Sequence, residues 1–139
     1  MRPAPKPFGR SPFRSLMPRE DFERLVEEAL KGIPRRFKEL IANVVVMVED
    51  DPPPGMPLLG LYHGVPFQHR SPASYGNHPP DVIVIYQRPI ESVSRTPEEI
   101  KDQVRDTVLH EVGHYFGLEE DELRDIERDA ARERRKEKS

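Results

Sequence analysis

The sequence predicts an α+β domain, a small β-sheet packed with N-terminal helices and one long, sharply delimited helix. Three observations carry this reading. Apolar residues recur at helical spacing through 18–33, where Phe22, Leu25, Val26, Ala29, Leu30 and Ile33 share a face and charges fill the remaining positions. Two runs, NVVVMVED (43–50) and DVIVIYQ (81–87), are short, β-branched and bounded by turn residues, which favours strands over helices. RTPEEIKDQVRDTVLHEVGHYFG carries a helix start, an apolar stripe and a helix stop.

Residues 1–17, MRPAPKPFGRSPFRSLM, show no periodicity and many prolines, and read as an extended Pro/Arg-rich arm outside the core. The first helix ends at Gly32 and Pro34, because proline supplies no amide and biases the preceding residue away from helix. Phe37, Leu40 and Ile41 suggest a second, short helix. Both β-branched runs read as substantially buried strands. Between them lies a proline-rich stretch with one short candidate strand at 58–62, LLGLY, and a loop of that length is expected to serve a site. In the next helix Thr96 is the expected N-cap, with Pro97 at the first position and Glu99 at the capping-box position. Ile100, Val104, Thr107, Val108 and Val112 form its stripe, and Gly117 sits where a left-handed C-cap would end it. A highly charged helix follows, anchored by Leu123, Ile126 and Ala130. The main domain is thus expected over 18–127, with a charged helical tail over 128–139.

Composition bounds the function. A chain of 139 residues supports one core. The formal charge of −3 argues against a dedicated nucleic-acid or anionic-membrane binder, although the first 19 residues hold five Arg/Lys and no acid. Without cysteine there is neither a disulfide framework nor a thiolate site, so any metal must be held by histidine and carboxylate. The absence of an apolar run long enough to span a bilayer, or of a signal-peptide core, points to the cytoplasm.

Chemistry concentrates in TVLHEVGHYFGLEEDEL, residues 107–123. Residues four apart on a helix differ by about 40° and stand about 6 Å apart, so His110 and His114 can converge on one ion. Glu111 lies about 100° round, beside the ion rather than on it. This is the H-E-x-x-H arrangement, in which two neutral imidazoles hold Zn²⁺ and the glutamate acts as general base on a bound water. Histidines so spaced also occur simply packed or facing solvent. The helical capping, the glycine stop and the acidic cluster that follows favour the metal. A third ligand must come from Glu119, Glu120, Asp121 or Glu122 once Gly117 turns the chain back, and the spacing after His114 favours Glu120.

Over residues 22–127 the sequence resembles the small zincin-like family of possible zinc metallopeptidases, in LVEEAL, VVVMVEDDPP, LLGLYHGVP, DVIVIYQRPI and HEVGHYFGLEEDEL. The resemblance implies a minimal zincin-like fold that binds Zn²⁺ through His110 and His114, with Glu111 catalytic. At the position of Glu120 the family pattern often has aspartate. No methionine follows the motif, so the Met-turn of larger zincins has no counterpart. By the same likeness a sheet-edge strand lies along the cleft and pairs with an extended peptide or protein substrate, and both VIVIYQ and LLGLY qualify. Tyr62, His63, His69, Tyr86 and Tyr115 are candidates to donate to a developing oxyanion, with no spacing that ties any of them to the zinc. The rival to a peptidase is a non-catalytic zinc- or peptide-binding module on the same scaffold.

Overall fold

The structure, a computed structural model, describes residues 2–3, 16–33, 35–39, 41, 43–64 and 80–138. Its order is β1 (Arg2–Pro3), α1 (Arg19–Lys31), α2 (Arg35–Lys38), β2 (Val44–Glu49), β3 (Leu58–His63), β4 (Asp81–Tyr86), α3 (Gln87–Ser92), α4 (Pro97–Tyr115) and α5 (Glu120–Lys138). The fold is α+β, as the periodicities imply. Among the described residues no helix is long and apolar enough to cross a membrane.

The strands form one mixed sheet in the order β1-β3-β4-β2. β4 is central: it runs parallel to β2, with Val44 opposite Asp81 and Glu49 opposite Tyr86, and antiparallel to β3, with Gly60 opposite Ile85. Centrality explains why Ile83 and Ile85 are buried. β2, expected to be substantially buried, is so on one face only: Val44, Val46 and Val48 turn towards the core while Val45 and Met47 are exposed. It is an outer strand, and only one of its faces meets helices. Arg2–Pro3, within the segment read as an arm, add to the sheet antiparallel to β3. The rest of that arm up to residue 15, and loop residues 65–79 with His69, lie outside the described residues.

The core is a single cluster in which Phe22 and Val26 of α1 and Ile100, Val104, Val108 and Val112 of α4 join Ile83 and Ile85 of the sheet. α4 begins as its sequence dictates. Thr96 Oγ1 accepts from the Glu99 amide at 3.1 Å, and Pro97 fills the first turn, where no amide partner is needed. The sequence carried no clear signal for α3, a six-residue helix stabilised by distant partners. Gln87 donates to Glu91 within it and to the Met17 carbonyl, accepts from Arg19, and Glu91 also accepts from the Leu16 amide. This buried polar hub fixes where the chain enters α1.

α4 ends in a Schellman turn. Gly117, at φ 75°, donates to the His114 carbonyl, and Leu118 donates to the Gly113 carbonyl at 3.0 Å. The reversal sets α5 against the last turns of α4, where Leu123, almost fully buried, packs on Gly113. A β-carbon at 113 would stand 1.9 Å from Leu123 Cδ2, and the buried leucine has little room to turn away. Gly113→Ala should therefore lower stability by about 1–3 kcal/mol. A urea midpoint equal to the parent's would show that the two helices are not packed this closely.

Candidate metal centre

His110 and His114 project from the final two turns of α4, their rings 4.7 Å apart between centroids and steeply inclined at 74°. Their spacing puts them on one face, and the Schellman turn places the first residue of α5, Glu120, opposite. Glu120 Oε1 lies 3.6 Å from Nε2 of His110 and 3.6 Å from Nε2 of His114. Three donor atoms, one from each residue, fall within 4.8 Å of one another. Donors about 2.1 Å from a tetrahedral zinc stand about 3.4 Å apart, so the two 3.6 Å edges suit a shared ion and are too long for hydrogen bonds. His110 Nε2 is buried without a hydrogen-bond partner among the described residues, which an apolar packing role would not explain. The donor set is nitrogen, nitrogen and oxygen, the kind zinc accepts at catalytic sites.

The acids near Glu120 have other geometry. Glu122 Oε1 accepts from the Glu119 amide at 3.2 Å, which closes the N-terminus of α5. Asp121 reaches Arg124 at 4.0 Å on the exposed side. Neither joins the three-donor group.

Glu111 is fully buried beneath this cluster. Burial pushes its pKa up, and nearby positive charge, His110 included, opposes that rise without reversing it. The contact with β3 depends on Gly60. A β-carbon there would meet Thr107 Cγ2 at 2.7 Å, the Val84 carbonyl at 3.2 Å and Glu111 Cγ at 3.3 Å. Gly60 thus lets the strand lie directly on the carboxylate-bearing helix. A glycine inside an otherwise strand-like LLGLY is the one sequence signal for such close approach.

Among the oxyanion candidates, the Tyr62 hydroxyl donates to Asp81 at 2.7 Å and its ring packs against Tyr115 at 6.0 Å. Tyr115 and Tyr86 are buried, and burial, reinforced by Glu49 and Glu111, raises the Tyr86 pKa. His63 is exposed at the end of β3. A residue unmarked in the sequence reading belongs to the site as well: Glu127 Oε1 stands 2.8 Å from His110 Nδ1. Its spacing, seven residues or about two helical turns after Glu120, puts it on the same face of α5, but nothing in the sequence set it apart from the other acids of that helix.

Residues 41–130 match the zincin-like metallopeptidase family. The structure is similar to that of a conserved hypothetical protein from T. thermophilus, at 27% identity and a TM-score of 0.50, covering 70% of this chain and 92% of that one. No protein of curated function matches the sequence at a significant level.

Because folding raises the pKa of Glu111, the ionised carboxylate destabilises the folded state at neutral pH, where the unfolded chain is fully ionised. Below the ordinary carboxylate range both states are protonated and this cost vanishes. Metal-free Glu111→Gln should therefore melt higher than the parent at pH 7, with the gain shrinking towards about pH 4. A gain that is absent at pH 7, or that grows on acidification, would mean the carboxylate is not held in an unfavourable environment.

Proposed function

The chain belongs to the zincin-like metallopeptidase family, and on that premise we propose that it hydrolyses peptide bonds, with zinc held by His110, His114 and Glu120 and with Glu111 as the general base. The observation that carries this reading is the convergence of three donors of the right chemistry beside a buried carboxylate of raised pKa. When bound, zinc would polarise the scissile carbonyl and acidify a water. The rest is the work of this chain. Glu111 accepts the water's proton and passes it to the departing amine, and its raised pKa brings it nearer the pH at which both transfers proceed.

Extended peptides are the substrate class that fits. Of the two strands that qualified for the cleft edge, β4 lies between the six-residue strands β3 and β2, whereas the far side of β3 meets only the two-residue β1 among the described residues, which favours β3. The outer side of β3 already pairs with an extended segment of this chain, Arg2 opposite Gly60 and Pro3 opposite Leu58, at the level where Gly60 covers Glu111. A substrate strand that took the place of Arg2–Pro3 would present its backbone to the site by main-chain hydrogen bonds.

Zinc reconstitution followed by elemental analysis should give about one ion per chain, lost in the His110→Ala, His114→Ala double variant. Glu111→Gln should keep the ion and lose at least about 100-fold in turnover on a mixed peptide library, because an amide cannot take the proton. Parent-like turnover in that variant removes Glu111 from the mechanism. Zinc uptake without hydrolysis by either protein would instead favour a zinc-dependent binding module.

A further inference from the structure

Three residues of α5, Glu120, Leu123 and Glu127, recur at i, i+3 and i+7 and so form one stripe along the helix. Leu123 is its anchor, buried on Gly113 of α4. The two acids flank that anchor and both reach His110, from opposite sides of its ring: Glu120 stands 3.6 Å from Nε2, Glu127 2.8 Å from Nδ1. Other acids of α5 behave differently. Asp121 and Asp125 make exposed i,i+3 pairs with Arg124 and Arg128, at 4.0 and 3.3 Å. Glu127 is only 22% exposed, and it meets a histidine side chain that is 7% exposed.

A neutral imidazole has one N–H and one lone pair, and which nitrogen carries the proton is set by the partner it finds. A carboxylate 2.8 Å from Nδ1 holds the proton there. Nε2 then keeps the lone pair, and this is the nitrogen that lies buried, without a hydrogen-bond partner among the described residues, within the three-donor group. The same contact resists rotation of the ring and makes Nε2 a stronger donor through the negative charge behind it.

We infer that Glu127 is a positioning residue that fixes the tautomer and the ring orientation of His110 for metal binding. The inference rests on the proposed zinc site and adds a residue to it that acts only through His110. It also gives α5 two tasks, one carboxylate towards the metal position and one behind the ligand.

The test combines histidine ¹⁵N NMR on the metal-free full chain with zinc competition titrations. In the parent, His110 should be protonated at Nδ1. In Glu127→Ala the Nδ1-protonated fraction should fall while the signals of His114 stay put, and zinc affinity should drop by about 10- to 100-fold. Glu127→Gln retains a carbonyl that accepts the Nδ1 proton, so it should recover much of the tautomer and part of the affinity. Asp125→Ala, a lost charge on the exposed side of the same helix, should alter neither. Melting of each metal-free variant checks that α5 remains docked.

An unchanged His110 tautomer in a folded Glu127→Ala, or zinc affinity within about twofold of the parent, overturns the role given to Glu127. Failure of the parent to take up zinc would instead count against the proposed zinc site. The two failures are therefore read from different proteins.

Discussion

Where α4 meets α5 there is no room for a β-carbon on residue 113, because Leu123 fills the space it would need. This contact sets the distance between the two helices, and the site depends on that distance. Residues that lie within one turn of Leu123 are carried towards α4 with it, which is how Glu120 comes within 3.6 Å of both imidazoles. Two glycines cooperate to achieve this. Gly117 reverses the chain at positive φ, and Gly113 lets the returning helix approach. With the chain continued as one straight helix, Glu120 would sit about 15 Å along the axis from His110.

On the opposite side of α4 a third glycine does similar work for the sheet. Gly60 brings β3 against Thr107 and Glu111, removing water from the carboxylate and raising its pKa. The helix is held from both sides, and the apolar cluster of Phe22, Val26, Ile100, Val104 and Val108 supplies the rigid backing. A buried carboxylate opposes folding, so the local geometry is maintained by packing elsewhere in the domain. Pre-organisation and cost come from the same burial.

Elements defined by local rules were legible in the sequence. The start of α4 could be read from Thr96, Pro97 and Glu99 because capping is a matter of neighbours within one turn. Its end could be read from Gly117, and β4 from an unbroken β-branched run. The shared face of His110 and His114 follows from helical geometry alone. Features that need distant partners were not legible. α3 owes its stability to Arg19 and the backbone of residues 16 and 17, about 70 positions away in sequence. β2 was expected to be buried because its residues are apolar, but its exposure follows from its outer place in the sheet. Glu127 resembles every other acid of a highly charged helix until α5 docks and the stripe it shares with Leu123 faces inward.

The central claim is that one zinc ion occupies the point where the side chains of His110, His114 and Glu120 converge. Anomalous diffraction at the zinc edge, from crystals of the reconstituted protein, measures this directly. The predicted result is a single peak about 2.1 Å from Nε2 of both histidines and from a carboxylate oxygen of Glu120. A peak ligated by other residues, or an ion held by the two histidines with Asp121 or Glu119 in place of Glu120, would contradict it.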